Sequence, residues 1–374
     1  MKLLVFNLRT DADDGVLGFT TDWLNALADR CEAVFVVSTE VGAVRVRSNV
    51  QVFGIGKEEG AGKLGRFLNL YRITSSILRH KRVDACFAHM NYLFPLRTSP
   101  LLKLSGVPIM TWYAHGSTPP LLYPATLISD RMVSSSPSGF RLKTRKLRII
   151  GQGVDTDRFV PVTHHAPDGP IRVLTLGRIS RIKRLEVVID AMAQLRELAP
   201  HLDLRCELVG DPLTDDGRAY KRELETRITE RGLQDRVRLI SGVPFHRAHQ
   251  VIAEADVFVN SGDTDSVDKT VLEALSCGVP VLTSNAAFTQ ILPPPMHALS
   301  LVPKNDFGAL ALGIQQICEL TPEERFHHTA MGRQMVVQQH SLGSLADKIM
   351  AELRELVGSA RHHITGGQIN ARQD

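Results

Sequence analysis

Along the chain, short apolar runs alternate with stretches whose apolar residues recur at helical spacing. "KLLVFNL", "AVFVVST", "VDACFAHM", "VPIMTWYA" and "DRMVSSSP" read as strands, with "FTTDWLNALADR" and "GRFLNLYRITSSILRHKR" as amphipathic helices between several of them. Such alternation predicts a mostly parallel sheet whose crossovers are helices. After "LRIIGQGVDTDRFVPVTHHAPDGP", rich in Gly, Pro and polar residues, the pattern begins again with "IRVLTLGRI", "LDLRCELVGD", "VRLISGVP", "ADVFVNSG" and "PVLTSN". Here "RLEVVIDAMAQLRELAP" and "SVDKTVLEALSCG" read as helices, the latter stopped by Gly278 and Pro280. The expectation is an α/β protein of two doubly wound, Rossmann-like domains, residues 1–160 and 161–340, with a linker near 155–170. A helix near 341–358 is expected to join the first domain, and the polar stretch 359–374 to be a disordered tail.

Length and composition agree with this division. A chain of 374 residues exceeds what one hydrophobic core usually serves. With 43% hydrophobic and 22% charged residues it has a globular composition, and no apolar run approaches the roughly 20 residues that span a bilayer. "MKLLVFNLRTDADDG" has too short an apolar run for a signal-peptide core and reads as a first strand, so the expected location is cytoplasmic. The five cysteines (Cys31, Cys86, Cys206, Cys277, Cys318) are scattered and form no C-x-x-C pair, which argues against a disulfide framework or a zinc site. A net charge of +4 suits an anionic ligand or lipid surface as well as nucleic acid, and decides nothing alone.

In open parallel sheets, ligands bind beyond the carboxyl ends of the strands. Two such loops carry chemistry. "LTLGRISRIKRLEVVI" ends a strand at Gly177 and sets Arg178 and Lys183 five residues apart before a helix. Arginine can fork two hydrogen bonds onto phosphate oxygens and lysine adds a mobile point charge, which suits a diphosphate. A solvated basic loop is the alternative, since Arg181 and Arg184 lie beside them. The second loop, "SGDTDSVDKTVLEALSCGVPV", places Asp263, Asp265, Asp268 and Lys269 before or at the start of an apolar helix containing Glu273. A helix N-terminus presents unpaired N–H groups to an anion, and Glu273 could hydrogen-bond vicinal hydroxyls or be an ordinary surface glutamate.

Taken together, "GRISRIK" and "DTDSVDKTVLEALSCGVPVLTSN" resemble the retaining glycosyltransferases of family 4, which show a G-R-x4-K loop and an E-x7-E element running into E-A-x-A-x-G-x-P-V. "IIGQGVDTDRFVP", "ELVGD", "VRLISGVP" and "ADVFVNSG" extend the similarity over most of residues 147–285. The resemblance implies a GT-B fold, two facing Rossmann-like domains with a donor cleft between them. It implies a metal-independent enzyme, without cofactor, that moves a hexose from a nucleotide sugar to a hydroxyl of a glycan or lipid-linked acceptor. Under it Arg178 and Lys183, after Gly177, hold the donor diphosphate and Glu273 contacts the ribose. The 265–269 loop, with Asp265, Ser266 and Lys269, faces the transferred sugar. Asp265 is one methylene shorter than the family's glutamate.

Retention would need no protein nucleophile. Arg178, Lys183 and the helix N-terminus would stabilise the departing diphosphate, a phosphate oxygen would take the acceptor's proton, and domain closure would exclude water. In the first half, Gly15 and Gly18 lie in the loop after the first strand, where the family often brings backbone near the donor phosphate or acceptor; a plain turn is the alternative. His115 in "WYAHGS" matches a strand end that often bears a histidine over the sugar, whereas His89 reads as a hydrogen-bonded structural residue. His164 and His165 lie in the linker and lack the further ligands of a metal site. Leu64, Phe67, Leu68 and Tyr71 recur at helical spacing among basic residues, and "RLKTRKLR" adds a second basic cluster. They form either a core-facing stripe or a surface for anionic lipid at the inner face of the membrane.

Other readings remain at this point. Asp263 and Asp265 form a D-x-D pair that could hold Mg²⁺. The string D-T-D-S-V also resembles the nucleophile loop of haloacid-dehalogenase phosphatases. A phosphorylase or an epimerase-like hydrolase would share the architecture. A nucleic-acid-binding or scaffold protein would need a basic stripe with stacking aromatics, and the aromatics, 6% of the chain, are dispersed.

Overall fold

The computed structural model describes residues 1–162, 169–262, 264 and 266–370, with side chains to residue 360; Asp263, Asp265, His164 and His165 lie outside the described residues. The chain divides into two compact units, Met1–Gly153 with Leu342–Asp374, and Val154–Ser341. The first holds a sheet in the order β3-β2-β1-β4-β5-β6-β7, built from β1 (Lys2–Thr10), β2 (Ala33–Val41), β3 (Val50–Gly54), β4 (Ala85–His89), β5 (Ile109–Trp112), β6 (Arg131–Ser134) and β7 (Leu147–Ile149). The second is ordered β10-β9-β8-β11-β12, from β8 (Ile171–Leu176), β9 (Leu204–Val209), β10 (Val237–Ile240), β11 (Val257–Asn260) and β12 (Val281–Thr283). All these pairings are parallel. Both sheets therefore reverse direction once, at β1/β4 and at β8/β11, and at such a switch point two loops diverge and leave a crevice.

Helices α1 (Phe19–Ala28), α2 (Lys63–Lys81), α3 (Leu93–Leu104) and α4 (Leu122–Ile128) cross over in the first unit. The second has α5 (Leu185–Leu198), α6 (Asp215–Glu230), α7 (Phe245–Ala253), α8 (Lys269–Ser276), α9 (His297–Ser300), α10 (Phe307–Cys318) and α11 (Pro322–His340). Helix α2 settles one alternative left by its sequence. Its core face is Leu70, Thr74 and Ile77, while Leu64 (71% exposed), Phe67 and Leu68 (58%) point to solvent.

The last helix, α12 (Leu342–Asn370), returns to the first unit because its stripe of Leu345, Ile349, Leu353 and Leu356 is buried in the core beside Trp23, Phe87 and Trp112. Arg30 pairs with its Asp347 at 2.6 Å, and buried Arg131 on β6 meets Glu352 and Glu355 at 2.7 Å each. The helix is described to Asn370, where a disordered tail was expected from residue 359. Arg131→Ala would leave Glu352 in the core without its cation, and breaking a buried pair in this way costs on the order of 3 kcal/mol. Urea unfolding of that variant should show the loss; unchanged stability would mean that α12 is held by its apolar stripe alone.

Candidate functional site

The crevice of the second sheet is walled by the loops after β8 and β11. Strand β8 ends at Gly177, whose carbonyl approaches Gly210 at the end of β9 so closely that a Cβ on Gly210 would lie 1.8 Å from it. Only glycine fits at residue 210. Beyond Gly177 the chain makes a tight turn, in which Lys183 N–H donates to the Ser180 carbonyl (2.9 Å) and Arg184 adopts the left-handed conformation (φ 49°). Ser261, just after β11, caps this turn by donating from Oγ to the carbonyls of Lys183 (2.8 Å) and Arg184 (3.1 Å).

The four basic residues of this loop separate cleanly. Arg181 pairs with Asp216 (3.1 Å) and Glu223 (2.5 Å), and Arg184 with Glu186 (3.1 Å), as a solvated loop would. Arg178 is exposed and makes no hydrogen bond or ion pair to a described residue. Lys183 instead turns inward and lies 2.8 Å from Asp268 Oδ1, with the two side chains only 17% and 16% exposed. A cavity lined by Gly177, Arg178, Lys183, Asn260 and Ser261 opens beside it.

Asp268 stands at the N-cap of α8, yet its carboxylate caps no helical N–H. It accepts instead from Lys183 Nζ, Asn260 Nδ2 (2.8 Å) and Thr264 Oγ1 (3.5 Å), and Asn260 is itself fixed by Thr283 Oγ1 (2.9 Å). Burial pushes the Asp268 carboxyl up, but the Lys183 charge and these three donors outweigh it and hold the group below the usual carboxylate range. Asn285 closes the loop from the far side, donating to the Ser266 carbonyl at 2.7 Å.

One turn into α8, Glu273 is 2% exposed, which excludes the surface-glutamate alternative. The helix is buried all round from Val271 to Ser276. Glu273 Oε1 has no hydrogen-bond partner among the described residues; the nearest cation, Lys269 Nζ, lies at 3.1 Å without hydrogen-bond geometry and also sits over the Phe245 ring at 4.5 Å. A buried carboxylate oxygen left without a donor is an acceptor waiting for one. Ser266 is half-buried at the mouth of the loop.

The first unit carries the remaining candidates. Gly18 is buried at the N-cap of α1 in ordinary right-handed geometry (φ −55°), donating to the Asp14 carbonyl (3.0 Å). The loop is ordered by Asp14, which accepts from the Val16 (2.8 Å) and Leu17 (2.6 Å) amides and is gripped by Arg9. His115 is exposed after β5, with its Nδ1 3.1 Å from the Ser117 amide. His89 is the buried, hydrogen-bonded residue its sequence suggested: Nδ1 contacts Asn7 Oδ1 at 3.2 Å, and burial among aromatic rings pushes its pKa down to about 3. Among the described residues no group of three or more His, Cys, Asp or Glu could hold a metal ion, and Asp263 and Asp265 fall outside that statement.

Sequence reasoning did not find Asp268, Asn260 or Gly210. "ELVGD" contained the signal for Gly210, a glycine closing a strand at the switch point. Asp268 was placed only as one of the aspartates before the helix, and nothing local pointed 85 residues back to Lys183.

Residues 170–319 match the family model of glycosyl transferases group 1. The putative colanic acid biosynthesis glycosyltransferase WcaL of Escherichia coli K12 is 28% identical over 185 residues, 48% of this chain and 44% of that protein. The chain spans about half the length of the curated relatives it matches. Among solved structures, Anabaena HepE in complex with UDP superposes with a TM-score of 0.75 at 18% identity, over 95% of this chain and 100% of that one. The sucrose-phosphate synthase of Thermosynechococcus elongatus gives 0.76 at 18% identity over 96% and 100%. At these identities the structures establish the fold, the two Rossmann-like domains of GT-B glycosyltransferases. The sequence match adds that residues 170–319, in the second domain, are similar to the group 1 glycosyl transferases.

Proposed function

We propose that the chain is a retaining, metal-independent hexosyltransferase that moves a sugar from a nucleoside-diphosphate donor to a hydroxyl of a glycan or lipid-linked acceptor. The observation that carries this reading is Glu273, a buried carboxylate in the helix that starts beside Lys183, whose Oε1 has an ion-pair contact with Lys269 at 3.1 Å but accepts no hydrogen bond from a described residue. A vicinal diol such as a ribose supplies the missing donors. In this reading Arg178, Lys183 and the first N–H groups of α8 receive the diphosphate and stabilise its charge as it departs. The acceptor hydroxyl attacks from the face the diphosphate leaves, and a phosphate oxygen takes its proton, so the protein supplies position and charge rather than a nucleophile. Asp265, Ser266, Lys269 and His115 are assigned to the sugar and Gly18 to the acceptor or donor phosphate. UDP, bound to HepE, is the first nucleotide to try; polysaccharide assembly, the process in WcaL's name, is the first acceptor chemistry.

Calorimetric titration with UDP, GDP and ADP in EDTA tests the donor site. One nucleotide should bind, and Glu273→Ala should weaken it by about 1 to 3 kcal/mol, the worth of a hydrogen bond to a charged group. Binding that appears only with Mg²⁺ or Mn²⁺ would restore the D-x-D reading of Asp263 and Asp265.

A membrane-side acceptor is supported by the first domain. From Gly60 to Val154 the sequence has fourteen lysines and arginines and two acids, Asp84 and Asp130, although the whole chain carries only +4. Within that stretch, α2 exposes Leu64, Phe67 and Leu68 among cations and contains no acid. A cationic helix with protruding apolar side chains fits anionic lipid. None of the described helices is long and apolar enough to cross a bilayer. The protein should sediment with phosphatidylglycerol-containing vesicles and not with phosphatidylcholine alone, and the triple change Leu64→Ser, Phe67→Ser, Leu68→Ser should abolish sedimentation. Equal recovery with both vesicle types would refute membrane docking.

A further inference from the structure

The cation proposed for the donor diphosphate is not idle when the site is empty. Lys183 Nζ is already 2.8 Å from a carboxylate, and that carboxylate is held in place by two further donors, Asn260 and Thr264, rather than by the helix it precedes. Backbone closes around the pair: a Cβ on Gly262 would lie 3.4 Å from Asp268 Oδ2 and 3.6 Å from Lys183 Cδ. An acid at a helix N-cap ordinarily bonds the helix's own N–H groups. Here it leaves them and faces the lysine instead.

We infer that Asp268 is a built-in stand-in for the donor's phosphate, a positioning residue that keeps Lys183 aimed before the donor arrives and limits how tightly the site holds a nucleoside diphosphate. This rests on the donor reading above. Two oxygen atoms hydrogen-bonded to one ammonium group are roughly 5 Å apart. A phosphate oxygen arriving on Lys183 therefore meets a second negative charge at that distance, in surroundings that water screens poorly. The carboxylate stays ionised, because Lys183, Asn260 and Thr264 all donate to it, so the repulsion persists at neutral pH. Without Asp268, Lys183 would be a partly buried cation lacking a counter-charge, drawn toward any anion and reluctant to release one. With it, the lysine exchanges one anion for another, and the product diphosphate leaves against a waiting competitor. Removing the carboxylate should tighten diphosphate binding, which is the opposite of what loss of a simple structural contact would do.

The test compares wild type with Asp268→Asn and Asp268→Ser. Serine is a favoured N-cap residue, so the second variant can give α8 the side-chain cap that Asp268 does not supply, and it avoids an asparagine amide crowding the Asn260 amide. Each is titrated with the nucleoside diphosphate that wild type binds and with the corresponding nucleoside. The diphosphate Kd should fall about tenfold or more in both variants, the nucleoside Kd should not change, and inhibition of transfer by product diphosphate should strengthen in proportion. A diphosphate Kd that is unchanged or higher in folded variants, or a gain shared equally by the nucleoside, overturns the inference. Failure of wild type to bind UDP, GDP or ADP would instead remove the donor reading itself, so the two failures are distinguishable.

Discussion

The second domain's crevice is organised around the largely buried carboxylate of Asp268. It joins the loop that leaves β8, through Lys183, to the loop that leaves β11, through Asn260 and Thr264, and these are the two loops that a parallel sheet sends apart at its switch point. A charge so little exposed persists only where its partners are fixed. They are fixed by Ser261, which caps the turn carrying Lys183, and by Thr283, which orients Asn260. Gly210 lets the β8 and β9 ends approach closely enough for the Gly177 turn to form. The site is thus a small polar network built on rigid strand ends, which is the preorganisation that electrostatic stabilisation of a leaving group requires.

Charge is distributed differently in the two domains. The second buries paired acids and bases around a crevice, whereas the middle of the first, from Gly60 to Val154, is almost free of acids. Helix α12 belongs to the first domain by its apolar stripe and by Arg131, one of the few cations of that stretch with a buried acidic partner.

Much of this was legible in the sequence, for physical reasons that can be named. Buried parallel strands are continuous apolar runs, so ten of the twelve were readable; the two that were not, β3 and β7, are short edge strands with few buried residues. Gly278 announced the end of α8 and takes φ 71° there. The loops bearing Arg178, Lys183 and Glu273 were placed because ligand loops follow strand ends. What local pattern could not convey was direction. Asp268 beside a helix looks like a cap, and Leu64, Phe67 and Leu68 at helical spacing look like a core stripe, until the fold shows which way each points. The burial of Glu273 was not legible, since Lys269, Thr270, Glu273 and Ser276 of "KTVLEALS" recur at the spacing of one polar helix face.

The central claim is that Lys183 and Glu273 receive the two ends of one ligand, a diphosphate and a ribose. A crystal structure of the protein soaked with the nucleoside diphosphate it binds would address this directly. The account predicts phosphate oxygens within hydrogen-bond distance of Lys183 Nζ and the Arg178 guanidinium, and a ribose hydroxyl donating to Glu273 Oε1. A nucleotide bound elsewhere, or one seated in the crevice with Glu273 still lacking a donor, would contradict it.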